Sequence, residues 1–177
     1  MYKPVRFGWL LWPQGRRALL LVPLLLVPWL HLRAAEPVII TEFLASNTSG
    51  LQDEDGAYTD WIELYNCTTG AVNLEGWFLT DDAGNLTKWR FPATNLPPSS
   101  FQIVFASGKN RAVPGLPLHT SFALAADGEY LALVEPDGVT VACEFAPQFP
   151  PQSANISYGL SQELRVTKMV SNTSPVQ

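Results

Sequence analysis

Apolar residues along this chain fall in short runs, several of them alternating with polar positions, and clusters of Gly, Pro, Asn, Asp and Ser separate the runs. That spacing predicts strands rather than helices. A strand turns successive side chains to opposite faces, whereas an amphipathic helix repeats every ~3.6 residues. Strands are expected at residues 38–44, 61–67, 72–74, 76–80, 88–91, 101–105, 121–125, 129–134 and 139–145. Trp89 and Phe91 share one face of their run, and Phe101, Ile103 and Phe105 share one face of theirs. Asp127-Gly128 and Pro136-Asp137-Gly138 predict tight turns. The second closes the clearest hairpin in the chain, with Val139, Val141, Cys143 and Phe145 on the core face and Thr140 and Glu144 toward solvent. In 61–67, Trp61, Glu63 and Tyr65 alternate with Ile62 and Leu64, so both faces carry apolar groups. About eight or nine short strands without an amphipathic helix predict an all-β antiparallel sandwich.

The two ends read differently. Residues 1–17 carry four cations and no carboxylate, and an apolar run follows from Ala18 to Leu32. The run has the length of a signal-peptide core, is short for a membrane span, and is weakened as a spanning helix by Pro23 and Pro28. Residues 1–35 are therefore expected to be a signal peptide or an N-terminal anchor, with membrane contact only through this segment if it stays uncleaved. The domain is assigned to 36–160. Residues 161–177, polar and largely aperiodic, read as a linker or a truncated tail. An exported location follows: secreted, periplasmic or at the cell surface.

Charge narrows the partners. All sixteen acidic residues lie at or after Glu36, against six of the eleven cations, so that portion carries −10. Such a surface repels phosphate backbones and offers no basic patch, which excludes nucleic acid and leaves cations, proteins and neutral polymers.

Four carboxylates, Asp53, Glu54, Asp55 and Asp60, crowd a Gly-containing loop ahead of Trp61. Asp53, Asp55 and Asp60 are candidate calcium ligands, since hard oxygen donors and a sharp turn suit that ion. The register is not that of an EF-hand, because its first and twelfth positions would be Leu51 and Ile62. The alternative is a solvated loop in which Asp60 hydrogen-bonds backbone beside the strand. Cys67 and Cys143 are the two cysteines; an exported pair suggests a disulfide, and two separate buried thiols are the competing reading. Zinc lacks ligand spacing. His119, the one histidine after the leader, has no nucleophile motif beside it, so no catalytic residue is assigned. Trp61, Trp77 and Trp89 are either a carbohydrate platform or core. Asn47, Asn66, Asn85, Asn155 and Asn172 each begin an N-x-S/T sequon.

Several blocks carry a family resemblance. They are Ile39-Ile40-Thr41-Glu42-Phe43-Leu44-Ala45-Ser46-Asn47, Asp60-Trp61-Ile62-Glu63-Leu64-Tyr65-Asn66, Leu74-Glu75-Gly76-Trp77-Phe78-Leu79-Thr80-Asp81-Asp82 and Lys88-Trp89-Arg90-Phe91-Pro92. Phe105-Ala106-Ser107-Gly108-Lys109, His119-Thr120-Ser121-Phe122 and Gly128-Glu129-Tyr130-Leu131-Ala132-Leu133 complete them. In this order, residues 38–159 resemble a lamin-tail domain of the exported bacterial type. The resemblance implies an immunoglobulin-like β-sandwich without catalytic activity and brings no catalytic motif. The expected function is a non-catalytic interaction or structural module that meets a protein or extracellular polymer. A calcium- or carbohydrate-binding accessory module is the alternative. No cofactor is expected unless calcium binds.

Overall fold

The computed structural model describes residues 36–160; the leader and tail expected at 1–35 and 161–177 lie outside them. Eleven strands are formed and no helix among the described residues. In chain order they are β1 (Val38–Leu44), β2 (Asp60–Asn66), β3 (Val72–Asn73), β4 (Phe78–Thr80), β5 (Trp89–Arg90) and β6 (Asn95–Leu96). β7 (Phe101–Ala106), β8 (Leu118–His119), β9 (Leu131–Val134), β10 (Val141–Phe145) and β11 (Tyr158–Gly159) follow. One sheet has the order β11-β1-β2-β7-β8 and the facing one β10-β9-β4-β5, while β3 and β6 form a small ribbon. All neighbours are antiparallel except β7 and β8, which run parallel.

The core lies between the two sheets. Val38, Ile40, Phe43, Ile62, Leu64 and Val104 from the first meet Leu79, Trp89, Leu131 and Leu133 from the second. This settles β2, which buries Ile62 and Leu64 and turns Trp61, Glu63 and Tyr65 to the outer face. Phe101 and Ile103 share that outer face, and Phe101 is 53% exposed. Trp77 and Trp89 are buried in the core rather than displayed for a sugar.

Two expectations need correction. The hairpin at Pro136-Asp137-Gly138 forms, with Gly138 at φ 72, but its second strand is bulged between Val141 and Cys143. A bulge inserts one residue and changes which side chains share a face. Val141 therefore packs outside, near Tyr130, Ala132 and Val134. Ala142, Cys143 and Phe145 pack against the main core, and Val139 is 71% exposed in the turn. The strand expected at 121–125 is reduced to a single bridge, Ser107 to Ala123. Leu118–His119 forms β8 instead.

The segment after β10 belongs to the fold. Phe149 is buried, and its N–H donates to the Glu129 carbonyl at 2.8 Å. A Cβ on Gly128 (φ 96) would collide with the Phe149 carbonyl, so this close approach needs glycine. Asn66, fully buried at the end of β2, places Nδ2 within 2.8–3.0 Å of the carbonyls of Gly70, Leu96 and Pro97. Its Oδ1 accepts from Thr68 N–H at 2.9 Å. That sequon asparagine is a structural bracket with no free amide for a glycan.

Candidate functional site

β2 begins and β7 ends at the same edge of the sandwich, since Asp60 pairs with Ala106. The loop at 48–59 and the loop at 107–117 therefore leave side by side, although the 47 residues 60–106 separate them in sequence. Each is built to hold its shape. In the first, Gln52 bridges Tyr58. The Asp53 carboxylate turns inward and its Oδ1 accepts from the N–H groups of Asp55 and Ala57, both at 3.0 Å. Asn47 closes the loop's base: Nδ2 donates to the carbonyls of Leu51 (2.6 Å) and Thr59 (2.8 Å), and Oδ1 accepts from Gly50 N–H at 2.8 Å. In the second, Asn110 and His119 N–H donate to the Thr120 and Arg111 carbonyls, each at 2.9 Å. A turn at 113–116 caps the loop and exposes Val113 (51%) and Leu116 (60%).

The two loops are joined by charge. Lys109 Nζ donates to Asp53 Oδ2 at 2.5 Å and to Asp55 Oδ2 at 2.7 Å. Arg111 reaches Glu54 Oε1 at 2.6 Å and Asp55 Oδ2 at 2.7 Å. Beneath them His119, with 0% exposure, places Nε2 at 2.8 Å from Glu54 Oε2 and Nδ1 at 2.8 Å from Ser107 Oγ. Phe105 stacks on the imidazole with ring centroids 5.1 Å apart.

The carboxylates respond accordingly. Hydrogen bonds from Arg111 and then Lys109 outweigh burial and hold Asp55 at about 2. Burial pushes Asp53 up, but Lys109 and the Ala57 and Asp55 amides prevail and keep it below the usual carboxylate value. Glu54 is also lowered, with burial outdone by its own backbone N–H, His119 and Arg111. Asp60 moves the other way. Burial raises it, offset only in part by the N–H groups of Asn47 and Leu124.

A carboxylate depressed on folding stabilises the fold above its unfolded value, and that contribution is lost as pH falls through the folded one. For Asp55 the window runs from 3.8 down to about 2. Asp55→Asn should therefore melt below wild type at pH 7, and the gap should close as pH approaches 2. Melting curves across that range check this; a constant gap would contradict it. Asp60 contributes the opposite sign, because protonation favours its folded state.

Of the proposed calcium ligands, Asp53 and Asp55 meet at Lys109, whereas Asp60 Oδ1 accepts from Asn47 N–H at 3.1 Å. Among the described residues, no group of three or more His, Cys, Asp or Glu is placed to hold a metal ion. Cys67 and Cys143 are both free thiols, Cys67 exposed at the end of β2 and Cys143 partly buried in β10. His119 does meet a hydroxyl and a carboxylate, an arrangement that sequence spacing did not reveal. With Nε2–H donating to Glu54, Nδ1 accepts from Ser107. The amides that could bind a developing oxyanion there are committed: Gly108 N–H donates to the Phe122 carbonyl at 3.0 Å and Lys109 N–H to Ser107 Oγ at 3.3 Å. A fully buried imidazole between two loops acts here as a bracket.

Beside the ion pairs lies a pocket of about 490 Å³ that Glu54, Arg111, Val113, Leu116 and Pro117 help to line. Leu51 and Tyr58, also largely exposed, lie on the neighbouring loop. This end of the sandwich thus combines apolar tips with a fixed charged floor.

The sequence profile of the lamin tail domain matches residues 32–145. The chain belongs to the lamin tail domain family. The match starts within the segment read as a leader and stops at the end of β10. The lamin tail sandwich of this chain nevertheless continues through Phe149 to β11. No curated protein matches the chain at a significant level. Membership supports a non-catalytic interaction or structural module.

Proposed function

We propose that this lamin tail domain is an exported, non-catalytic binding module whose contact face is the paired loops at 48–59 and 107–117. The observation that carries this reading is the pre-ordered loop pair. Lys109, Arg111 and His119 fix one loop to the other, while Val113 and Leu116 stay exposed beside a pocket. Loops already held in one shape lose little conformational freedom on binding, so apolar tips can contribute to affinity. With Lys109 and Arg111 already paired to the acidic loop, neither is left free for a phosphate backbone, and a protein or an extracellular polymer suits this end better. Export rests on the basic flank and apolar run of residues 1–35.

Two measurements test the reading together. Residues 1–35 placed ahead of a reporter enzyme active only after export should give activity, and a silent reporter would remove the extracellular setting. The purified chain should bind saturably to the envelope or extracellular material of the cells that make it. Val113→Asp with Leu116→Asp should weaken that binding by roughly tenfold or more, as loss of two central apolar contacts would. Unchanged binding would move the contact face elsewhere.

A further inference from the structure

A second surface lies away from the loops, on the outer face of the five-stranded sheet. A groove of about 440 Å³ runs there, with Ile39, Tyr65 and Cys67 among its walls, Glu42 and Glu63 beside them, and Leu160 at its rim. Phe101 extends the apolar floor, its ring centroid 4.6 Å from that of Tyr65. The two carboxylates have hydroxyl partners: Thr41 Oγ1 donates to Glu63 Oε1 at 2.7 Å, and Ser157 Oγ donates to Glu42 Oε1. Neither carboxylate is ion-paired among the described residues. Lys88 serves Asp81, and Lys109 and Arg111 are held by the loop cluster.

The chain itself leads into this groove. β11 pairs with β1 at Glu42 and Phe43, and Leu160 N–H donates to the Thr41 carbonyl at 2.9 Å. Seventeen residues follow Leu160, and among them Leu164, Val166, Met169 and Val170 are interspersed with Arg165 and Lys168. These are the only two cations after Arg111, and they lie five and eight residues beyond the rim. Four residues span at most ~14 Å, so the segment starts within reach of the groove. We infer that the outer-sheet groove is a docking site for the chain's own residues 164–170, with Leu164 and Val166 against Ile39 and Tyr65 and the two cations facing Glu42 and Glu63. Docking would cover the half-exposed aromatic pair and leave the loop end open. It does not depend on the function proposed above.

Cys67 supplies a native probe, because its thiol is exposed and lines the groove. The experiment uses the full chain and a small neutral alkylating reagent, iodoacetamide, with the modified cysteine identified by peptide mapping. Cys67 should react about tenfold more slowly in wild type than in Leu164→Ser/Val166→Ser, and Arg165→Gln/Lys168→Gln should give a similar release; tenfold corresponds to ~1.4 kcal/mol of docking. Cys143 should react at one rate in all three proteins, which controls for unfolding. Equal Cys67 rates in all three would overturn the inference. Protection that grows with protein concentration would also overturn it, by assigning the groove to a second copy.

Discussion

Replacing His119 with alanine should lower folding stability by about 3 kcal/mol, the scale of losing a buried hydrogen-bonded partner of a charged group together with ring packing. The imidazole touches both loops from below, through Glu54 and Ser107, and it also stacks on Phe105. Its removal leaves the Glu54 carboxylate with only Arg111 and its own backbone N–H, and opens a void under the 107–117 loop. His119→Gln keeps a donor and should recover part of the loss. Denaturant unfolding of the three proteins measures this. A loss below about 1 kcal/mol would mean that the loops are held by their own hydrogen bonds and that the histidine is incidental.

Phe43→Ala should cost more, about 3–5 kcal/mol. Phe43 is fully buried, and its ring contacts Phe145, Phe149 and Tyr158 at centroid distances of 5.1, 4.7 and 5.6 Å. One side chain thus ties β1 to β10 and to the segment beyond it. For a domain of this size the melting temperature should fall by roughly 10–20 °C. Hydrogen exchange adds a sharper readout. Amides around Phe149 and Tyr158 should lose protection together with those of β1, because the segment after β10 is part of the same core. Protection that vanished at 149–158 alone would separate that segment from the fold.

Much of the sandwich was legible because alternation and turn residues act locally. β2 and β7 follow from alternating runs, β1 from its β-branched start, and the β9–β10 hairpin from apolar runs bounded by Gly, Pro and Asp. The failures have local causes too. The β10 bulge moves Val141 to the other side, and no alternation rule anticipates an inserted residue. β6, β8 and β11 are each two residues long, too short to give a periodic signal, and they exist because longer strands offer them partners. Trp61, Glu63 and Tyr65 could not be assigned a face from β2 alone; the packing of Ile62 and Leu64 against the facing sheet decides it.

The site was legible only in halves. Asp53, Glu54 and Asp55 stood out as a cluster, and His119 stood out as the one histidine after the leader, whereas Lys109 and Arg111 carried no signal of their own. Nothing in either stretch shows that β2 and β7 are neighbours, which is what brings the two together. Once that pairing is known, charge complementarity between a triple-acid loop and a two-cation loop is the signal that joins them. The same pairing accounts for the inward carboxylate of Asp53, which Lys109 engages. It also leaves Asp60 to bind backbone beside β2.

Binding at the loop end of a rigid lamin tail sandwich can be separated from binding elsewhere by measuring it face by face. The full chain, Val113→Asp/Leu116→Asp at the loop tips, Phe101→Ser on the outer sheet and Val139→Asp in the hairpin turn would be titrated against the same envelope or extracellular material. The loop-tip variant alone should lose affinity while all four proteins melt as folded domains. Loss with Phe101→Ser or Val139→Asp and none at the loop tips would contradict it.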